Sequence, residues 1–259
     1  MSELLRTEVD GNIAHLILNR PEKRNALSAE LVDQMYQAMV AFNANDTIRV
    51  VIIRSAEKAF CAGADLGYLT LLRNNTLEEN EADSQRLRAL FDAIYLSPKY
   101  IISQVEGPAL AGGCGLATLA DCCIATPAAT FGYTEVKIGF IPALVMVYLR
   151  EKVSGAVMTD ILLSGRIFTA QEAQSLQLVQ HVIAEGEIAD FVLGLAHQIC
   201  ETTSSQAVAK VKEMLRAIPA MSREQALDYA VKQNALARAS EDCKKGIDAF
   251  LSKQPLTWR

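Results

Sequence analysis

The sequence predicts an α/β fold with a helical layer appended at its C-terminal end, on two observations. Short, continuously apolar runs alternate with amphipathic stretches through the first half of the chain, the mark of buried strands joined by helices. From about Pro142 onward those runs end and helical spacing takes over, which argues for an α/β core with helices packed against it. We divide the chain into residues 1–195, the core, and residues 196–259, a helical region. No internal repeat or low-complexity tract interrupts either part.

Residues 12–18 read Asn-Ile-Ala-His-Leu-Ile-Leu, a strand that ends where Asn19-Arg20-Pro21 breaks the pattern. From Ser28 to Phe42, Leu31, Val32, Met35, Met39 and Phe42 recur at helical spacing, with Ser28 placed to cap the helix. Val50-Val51-Ile52-Ile53 is β-branched throughout, as suits a strand covered on both faces. The polar stretch 73–80 reads as a loop or a helix start, and 85–95 returns to helical spacing. A second buried strand at 100–105 delivers the chain into a glycine-rich turn, and a third follows at 122–126. Later helices are predicted over 144–153, 156–163, 170–175, 188–201, 206–217 and 223–240.

Composition excludes several classes of function. A net charge of -5 gives no electrostatic reason to bind nucleic acid. No apolar run approaches the ~20 residues a membrane span needs, and the N-terminus lacks the apolar core of a secretory leader, so a cytoplasmic protein is expected. The cysteines Cys61, Cys114, Cys122, Cys123, Cys200 and Cys243 form no CxxC pair and read as reduced core residues. His15, His181 and His197 are scattered without ligand spacing, so no catalytic metal is expected, and His15 reads as a satisfied structural histidine. Neither GxxxxGK[ST], GxSxG nor GxGxxG occurs.

Two small-residue turns remain, Phe60-Cys61-Ala62-Gly63-Ala64-Asp65-Leu66 and Gly107-Pro108-Ala109-Leu110-Ala111-Gly112-Gly113-Cys114-Gly115. Main-chain N–H groups in such turns can converge on one carbonyl oxygen, which is the means of stabilising an enolate. The helix-like run after the second turn adds a favourable dipole. Glu135 follows in Phe131-Gly132-Tyr133-Thr134-Glu135-Val136. A carboxyl among Phe131, Tyr133, Ile138 and Phe140 is expected to have a raised pKa, suited to a base.

Together with Asn19-Arg20-Pro21-Glu22-Lys23-Arg24-Asn25-Ala26-Leu27 and Glu135-(x)3-Gly139-(x)2-Pro142, these turns resemble the crotonase family, the enoyl-CoA hydratases and isomerases. The resemblance runs in order across nearly the whole chain. It implies a crotonase-like repeated ββα core, a homotrimer or dimer of trimers, and an acyl-CoA thioester substrate. Coenzyme A then belongs to the substrate, and no metal or redox cofactor is implied. By the same resemblance the N–H groups of Ala64 and Gly112 bind the thioester oxygen, and Glu135 performs the proton transfer. Arg24, Ala26 and Leu27 receive the nucleotide end of CoA, while Ala62, Asp65 and Leu66 flank the first donor. Gly113 and Thr134 border the substrate, and Phe250 and Lys253 reach the CoA of a neighbouring subunit.

One departure bears on mechanism. Two-carboxylate hydratases of the family carry a glutamate just after the glycine turn, and here that position is Gly115. Syn addition of water is served by two carboxylates, whereas shifting a double bond needs one base that removes and returns a proton. This favours proton shuttling by Glu135 and leaves hydration open, since one glutamate can handle both protons through a bound water. Glu106 and Asp65 are the other acids nearby, the first read as a strand-end residue and the second as facing CoA. Tyr68 and Tyr133 are read as packing. The Gly-Gly-Thr that follows the proline in two-glutamate hydratases is replaced by Pro142-Ala143-Leu144-Val145-Met146, so an apolar, reshaped acyl wall is expected. Rival readings are another acyl-CoA reaction, decarboxylation or dehydration, and a non-catalytic CoA-binding subunit.

Overall fold

The computed structural model describes residues 4–258. β1 (Leu5–Asp10) and β2 (Ile13–Leu18) form an antiparallel hairpin, and α1 (Ala29–Ala44) leads to β3 (Val50–Ser55), which lies parallel to β2. The hydroxyl of Ser28 accepts the Leu31 N–H, so the predicted cap is present. After α2 (Leu66–Leu72) and α3 (Leu77–Tyr95) comes β4 (Tyr100–Val105), matching its predicted limits. The polar stretch 73–80 resolves into both of its readings: a short turn, then α3 opened by a capping box between Thr76 and Glu79.

Three further strands, β5 (Ala109–Leu110), β6 (Cys122–Ala125) and β7 (Thr130–Gly132), surround α4 (Gly112–Thr118). Next come α5 (Ala143–Leu149), α6 (Gly155–Ser164), β8 (Phe168–Thr169), α7 (Ala170–Ser175) and β9 (His181–Val182). α8 (Ile188–Thr202), α9 (Ser205–Ala217), α10 (Arg223–Ala239) and α11 (Glu241–Ser252) complete the chain. The large sheet has the order β1-β2-β3-β4-β6-β9, parallel except at the first pair, and the small sheet has the order β5-β7-β8.

The central strands are covered on both faces, as their unbroken apolar runs require. Val51 and Ile53 of β3 face Leu31, Met35 and Phe91 in the larger core, whereas Val50 and Ile52 pack with Ile188, Val192, Ala196 and Cys200 of α8. α8 thus runs straight through the division drawn at residue 195, and the helical layer begins with Ile188. α9 is anchored by the buried Lys212, whose ammonium donates to the Lys99 carbonyl and to Asp121, while Arg216 stacks over Tyr95.

Several elements differ from expectation. β1, α2 and α11 were not predicted, and α5 is shorter than 144–153, ending where the Arg150 N–H closes the last turn. The predicted satisfaction of His15 is corrected: its Nδ1 is buried without a partner among the described residues, and burial lowers its pKa. Among the described residues no helix is long and apolar enough to cross a membrane.

Candidate active site

The two small-residue turns lie side by side because main-chain hydrogen bonds stitch them into a ladder. Leu27 pairs with Ala64, Cys61 with Ala109, Ala109 with Phe131, and Phe131 with Phe168. Rungs of such a ladder stand about 4.8 Å apart, so segments distant in sequence are held at strand spacing.

The bonding around Ala64 aims its N–H. Leu27 donates to the Gly63 carbonyl at 2.7 Å and accepts from the Asp65 N–H at 3.0 Å, one residue either side of Ala64. In a parallel bridge of this kind the intervening residue turns its own N–H away from the partner strand. Ala64 is exposed there, and none of the hydrogen bonds of the described residues engages its N–H. Gly112 opens α4, where helical geometry supplies no acceptor for the first N–H groups. Ala111 precedes it at φ 48° and ψ -126°, a conformation costly for an L-residue, held by its N–H bond of 2.7 Å to the Gly132 carbonyl. A Cβ at Gly112 would meet Leu27 Cδ1 at 3.3 Å, so this second N–H sits next to the rung that presents the first. Gly113 has no such latitude: a Cβ there would lie 2.4 Å from the Cys61 carbonyl oxygen.

Glu135 begins a short 3-10 turn, Glu135–Ile138, three residues beyond β7. It is 8% exposed, and its Oε2 is buried without a hydrogen-bond partner among the described residues. Burial raises its pKa, outweighing an opposing contribution from its own backbone N–H. Its charge contributes to raising the pKa values of the buried Cys114 and Tyr133, after the larger effect of their burial. The Tyr133 phenol is fully buried and lies 2.9 Å from the Thr118 hydroxyl, consistent with the packing role predicted for it. Glu106 sits at the end of β4, accepting from Gln104 at 2.6 Å.

The remaining predicted residues fall into two groups. Ala26 and Leu27 are buried within the ladder, Thr134 is half-buried immediately before Glu135, and Ala62 donates to the carbonyl of the exposed Arg24 at 3.0 Å. Asp65 is buried with Arg20 Nη2 2.8 Å away, and its Oδ1 accepts the Tyr68 N–H at 3.1 Å at the start of α2. Although burial alone would raise its pKa, the Tyr68 N–H and the Arg20 charge leave it below the usual carboxylate value. Leu66 opens α2, and its side chain lies outside the described residues. Phe250 and Lys253 stand apart at the end of α11, Phe250 81% exposed, and no hydrogen bond or ion pair of the described residues links them to the turns.

Two organising residues escaped sequence reasoning. Asn25 is fully buried at φ 55°: its Oδ1 accepts the Arg20 N–H at 2.7 Å, and its Nδ2 donates to Ser55 Oγ at 2.7 Å and to the Ala59 carbonyl at 2.9 Å. Asparagine tolerates that left-handed conformation better than most residues, which was the available signal. Arg20 ties the same loop together by donating to the Ala26 carbonyl at 2.9 Å while pairing with Asp65.

A ladder of small-residue turns with two unengaged N–H groups and a buried acid defines a crotonase-fold protein, and comparison with known proteins supports this. The profile of the enoyl-CoA hydratase/isomerase family matches residues 8–259. A Thermus thermophilus protein named as a candidate enoyl-CoA hydratase is 39% identical over 245 residues, covering 95% of this chain and 96% of its own. The peroxisomal Δ(3,5)-Δ(2,4)-dienoyl-CoA isomerase of Arabidopsis thaliana is 29% identical, covering 97% and 94%. The crystal structure of an enoyl-CoA hydratase from Shewanella pealeana superposes with a TM-score of 0.94 at 28% identity, covering 99% and 96%. The chain belongs to the enoyl-CoA hydratase/isomerase family and is an enzyme of that family acting on acyl-CoA.

Proposed function

We propose that this enzyme shifts the double bond of an enoyl-CoA, with Glu135 as its single acid–base residue and the N–H groups of Ala64 and Gly112 as its oxyanion hole. The observation that carries the reading is the Glu135 carboxyl: buried, raised in pKa by desolvation, and with Oε2 unpaired among the described residues. The buried Asp65 is held by the Arg20 guanidinium, whereas Glu135 has no ion pair among the described residues to make it a structural acid. Its carboxylate has spare basicity.

The reaction balances without water. The Glu135 carboxylate takes a proton from C2 of a 3-enoyl-CoA, and the C–H electron pair moves into the conjugated system, placing negative charge on the thioester oxygen. The two N–H groups receive that charge; losing one such donor typically costs ~2.7–4 kcal/mol of barrier. The proton on Glu135 is then delivered to C4, and the double bond comes to rest at C2–C3. Hydration by the two-carboxylate route would use a second proton carrier, for which position 115 offers no side chain; hydration by Glu135 alone would have to move both protons through one bound water.

CoA recognition is assigned to Arg24, Ala26, Leu27, Ala62, Asp65 and Leu66, with Gly113 and Thr134 bordering the acyl group. Asp65 acts there through the loop it pins to Arg20 rather than through a free carboxylate. Phe250 and Lys253 are assigned to the CoA site of a neighbouring copy in a homotrimer. In support, α9–α11 leave Leu215, Val231, Phe250 and Leu251 each at least 65% exposed. The test is incubation with 3-enoyl-CoA and with 2-enoyl-CoA in heavy water. Deuterium at C2 or C4 without net hydration is expected; hydration faster than exchange at those carbons overturns the reading.

A further inference from the structure

Gly115 is not a simple vacancy. A Cβ built at this position would lie 2.2 Å from Val145 Cγ1, 3.2 Å from Val145 Cβ and 3.4 Å from Phe91 Cε2. The first distance is far inside van der Waals contact, so the isopropyl group of Val145 occupies the volume into which any side chain at 115 must project. α5, which carries Val145, is itself held in place: the Tyr148 phenol donates to Asp92 at 2.9 Å, and the Tyr148 ring meets Phe91 and Tyr95 edge-on. Gly115, Thr118, Val145, Tyr148 and Lys152 also border a cavity of about 10 Å³, at the lower limit for one water molecule.

We propose that Val145 is a specificity-determining residue: by filling the space beside Gly115 it excludes both a second carboxylate and the water such a group would orient, committing the bound enoyl thioester to proton return. The inference rests on the single-base reading of Glu135. It also places the determinant on α5, within the segment Pro142–Met146 that replaces the Gly-Gly-Thr of two-glutamate hydratases. The change at 115 and the change at 145 are two halves of one packing solution.

The experiment compares Gly115→Glu, Val145→Gly and the double variant by thermal melting, and by the ratio of 2-enoyl-CoA hydration to 3-enoyl-CoA isomerisation. Gly115→Glu alone is expected to lower Tm by about 5 °C or more, because a buried side chain is forced against Val145. Adding Val145→Gly should recover part of that loss and raise the hydration ratio by about 100-fold, the scale of one positioned general acid. A Gly115→Glu variant that melts like the wild type overturns the proposal, as does a folded double variant with an unchanged ratio. Should the double variant not fold, Val145→Ala decides: it opens the wall to water, so an unchanged ratio overturns the proposal and an increased one supports it. Glu135→Gln in the wild-type background separates the two readings. Retained turnover there removes Glu135 from the mechanism, while the melting comparison still reports on Val145.

Discussion

Replacing Glu135 with Gln should inactivate the enzyme and stabilise it. The native carboxylate is 8% exposed and leaves Oε2 without a partner among the described residues, a situation that costs roughly 1–3 kcal/mol for a buried polar group and more for a charged one. Glutamine has the same shape and no charge, but it leaves its own amide partly unsatisfied, so a net gain of about 1 kcal/mol is expected, or ~2–4 °C in Tm for a chain of this size. The sign with pH follows from the raised pKa. Between the ordinary carboxylate value and the raised native one, the folded state binds more protons than the unfolded state, so wild-type stability falls as pH rises through the native pKa. The advantage of Glu135→Gln should therefore be full above that window and vanish as pH falls to the ordinary carboxylate range. Melting curves of both proteins from acid to neutral pH measure this, alongside turnover, which should fall by about 10³-fold or more with acyl-CoA affinity retained. A variant less stable than wild type at every pH would refute the reasoning, since it would make Glu135 a paired structural acid.

Three further outcomes are expected. Gly113→Ala drives a Cβ to 2.4 Å from the Cys61 carbonyl oxygen and should cost about 1–3 kcal/mol in urea unfolding, with acyl-CoA binding weakened because the two turns are pushed apart. Asn25→Ala loses the bonds to Arg20, Ser55 and Ala59 and leaves a Cβ at φ 55°, so about 3 kcal/mol is expected; Asn25→Gly relieves the backbone component and should be milder by ~1 kcal/mol. Lys212→Met removes the ammonium that links α9 to Asp121 and the Lys99 carbonyl, for about 2–3 kcal/mol at neutral pH, given that Arg216 remains beside Asp121. Burial lowers the Lys212 pKa to about 8 from its usual 10.5. The unfolded state therefore binds more protons between those values, and the wild type should gain stability with rising pH there while Lys212→Met does not.

What sequence reasoning recovered follows from where each signal lives. Val50–Ile53 and Tyr100–Val105 are buried on both faces, so their composition alone marks them as strands, and α1 was delimited by its apolar spacing and by Ser28. β5, β7, β8 and β9 are two or three residues long, too short to show a period, and they exist because neighbouring segments bond to them. α11 escaped although Ile247, Phe250 and Leu251 stand at helical spacing, because Ser240 was read only as the end of the preceding helix and not as the cap of a new one, where it accepts the Cys243 N–H. At the site, motif order located the two turns and Glu135, but no one-dimensional signal links residue 115 to residue 145, thirty positions apart. That relation is a contact between two helices. An acid placed at 115 alone therefore meets Val145 before it can reach a substrate.

The arrangement separates two kinds of chemical control. In the proposed mechanism the oxyanion donors are main-chain groups, held by Leu27–Ala64, Cys61–Ala109 and Ala111–Gly132 bonding, so ordinary side-chain substitution moves them only by deforming the ladder. Glu135, Gly115 and Val145 differ in kind: they act through their side chains, or the lack of one, and none supplies a main-chain rung of that ladder. The physical consequence is that variation at 115, 135 and 145 redirects where protons and water go, while the charge-stabilising step common to these reactions persists. A variant such as Glu135→Gln should accordingly still bind a thioester whose carbonyl is polarised. The carbonyl stretch of a bound acyl-CoA, read by infrared difference spectroscopy, should shift to lower frequency in the inactive variant as in the wild type. An unshifted carbonyl in both would mean that the N–H groups of Ala64 and Gly112 do not meet on the substrate, and the division of labour between main chain and side chain would fail with it.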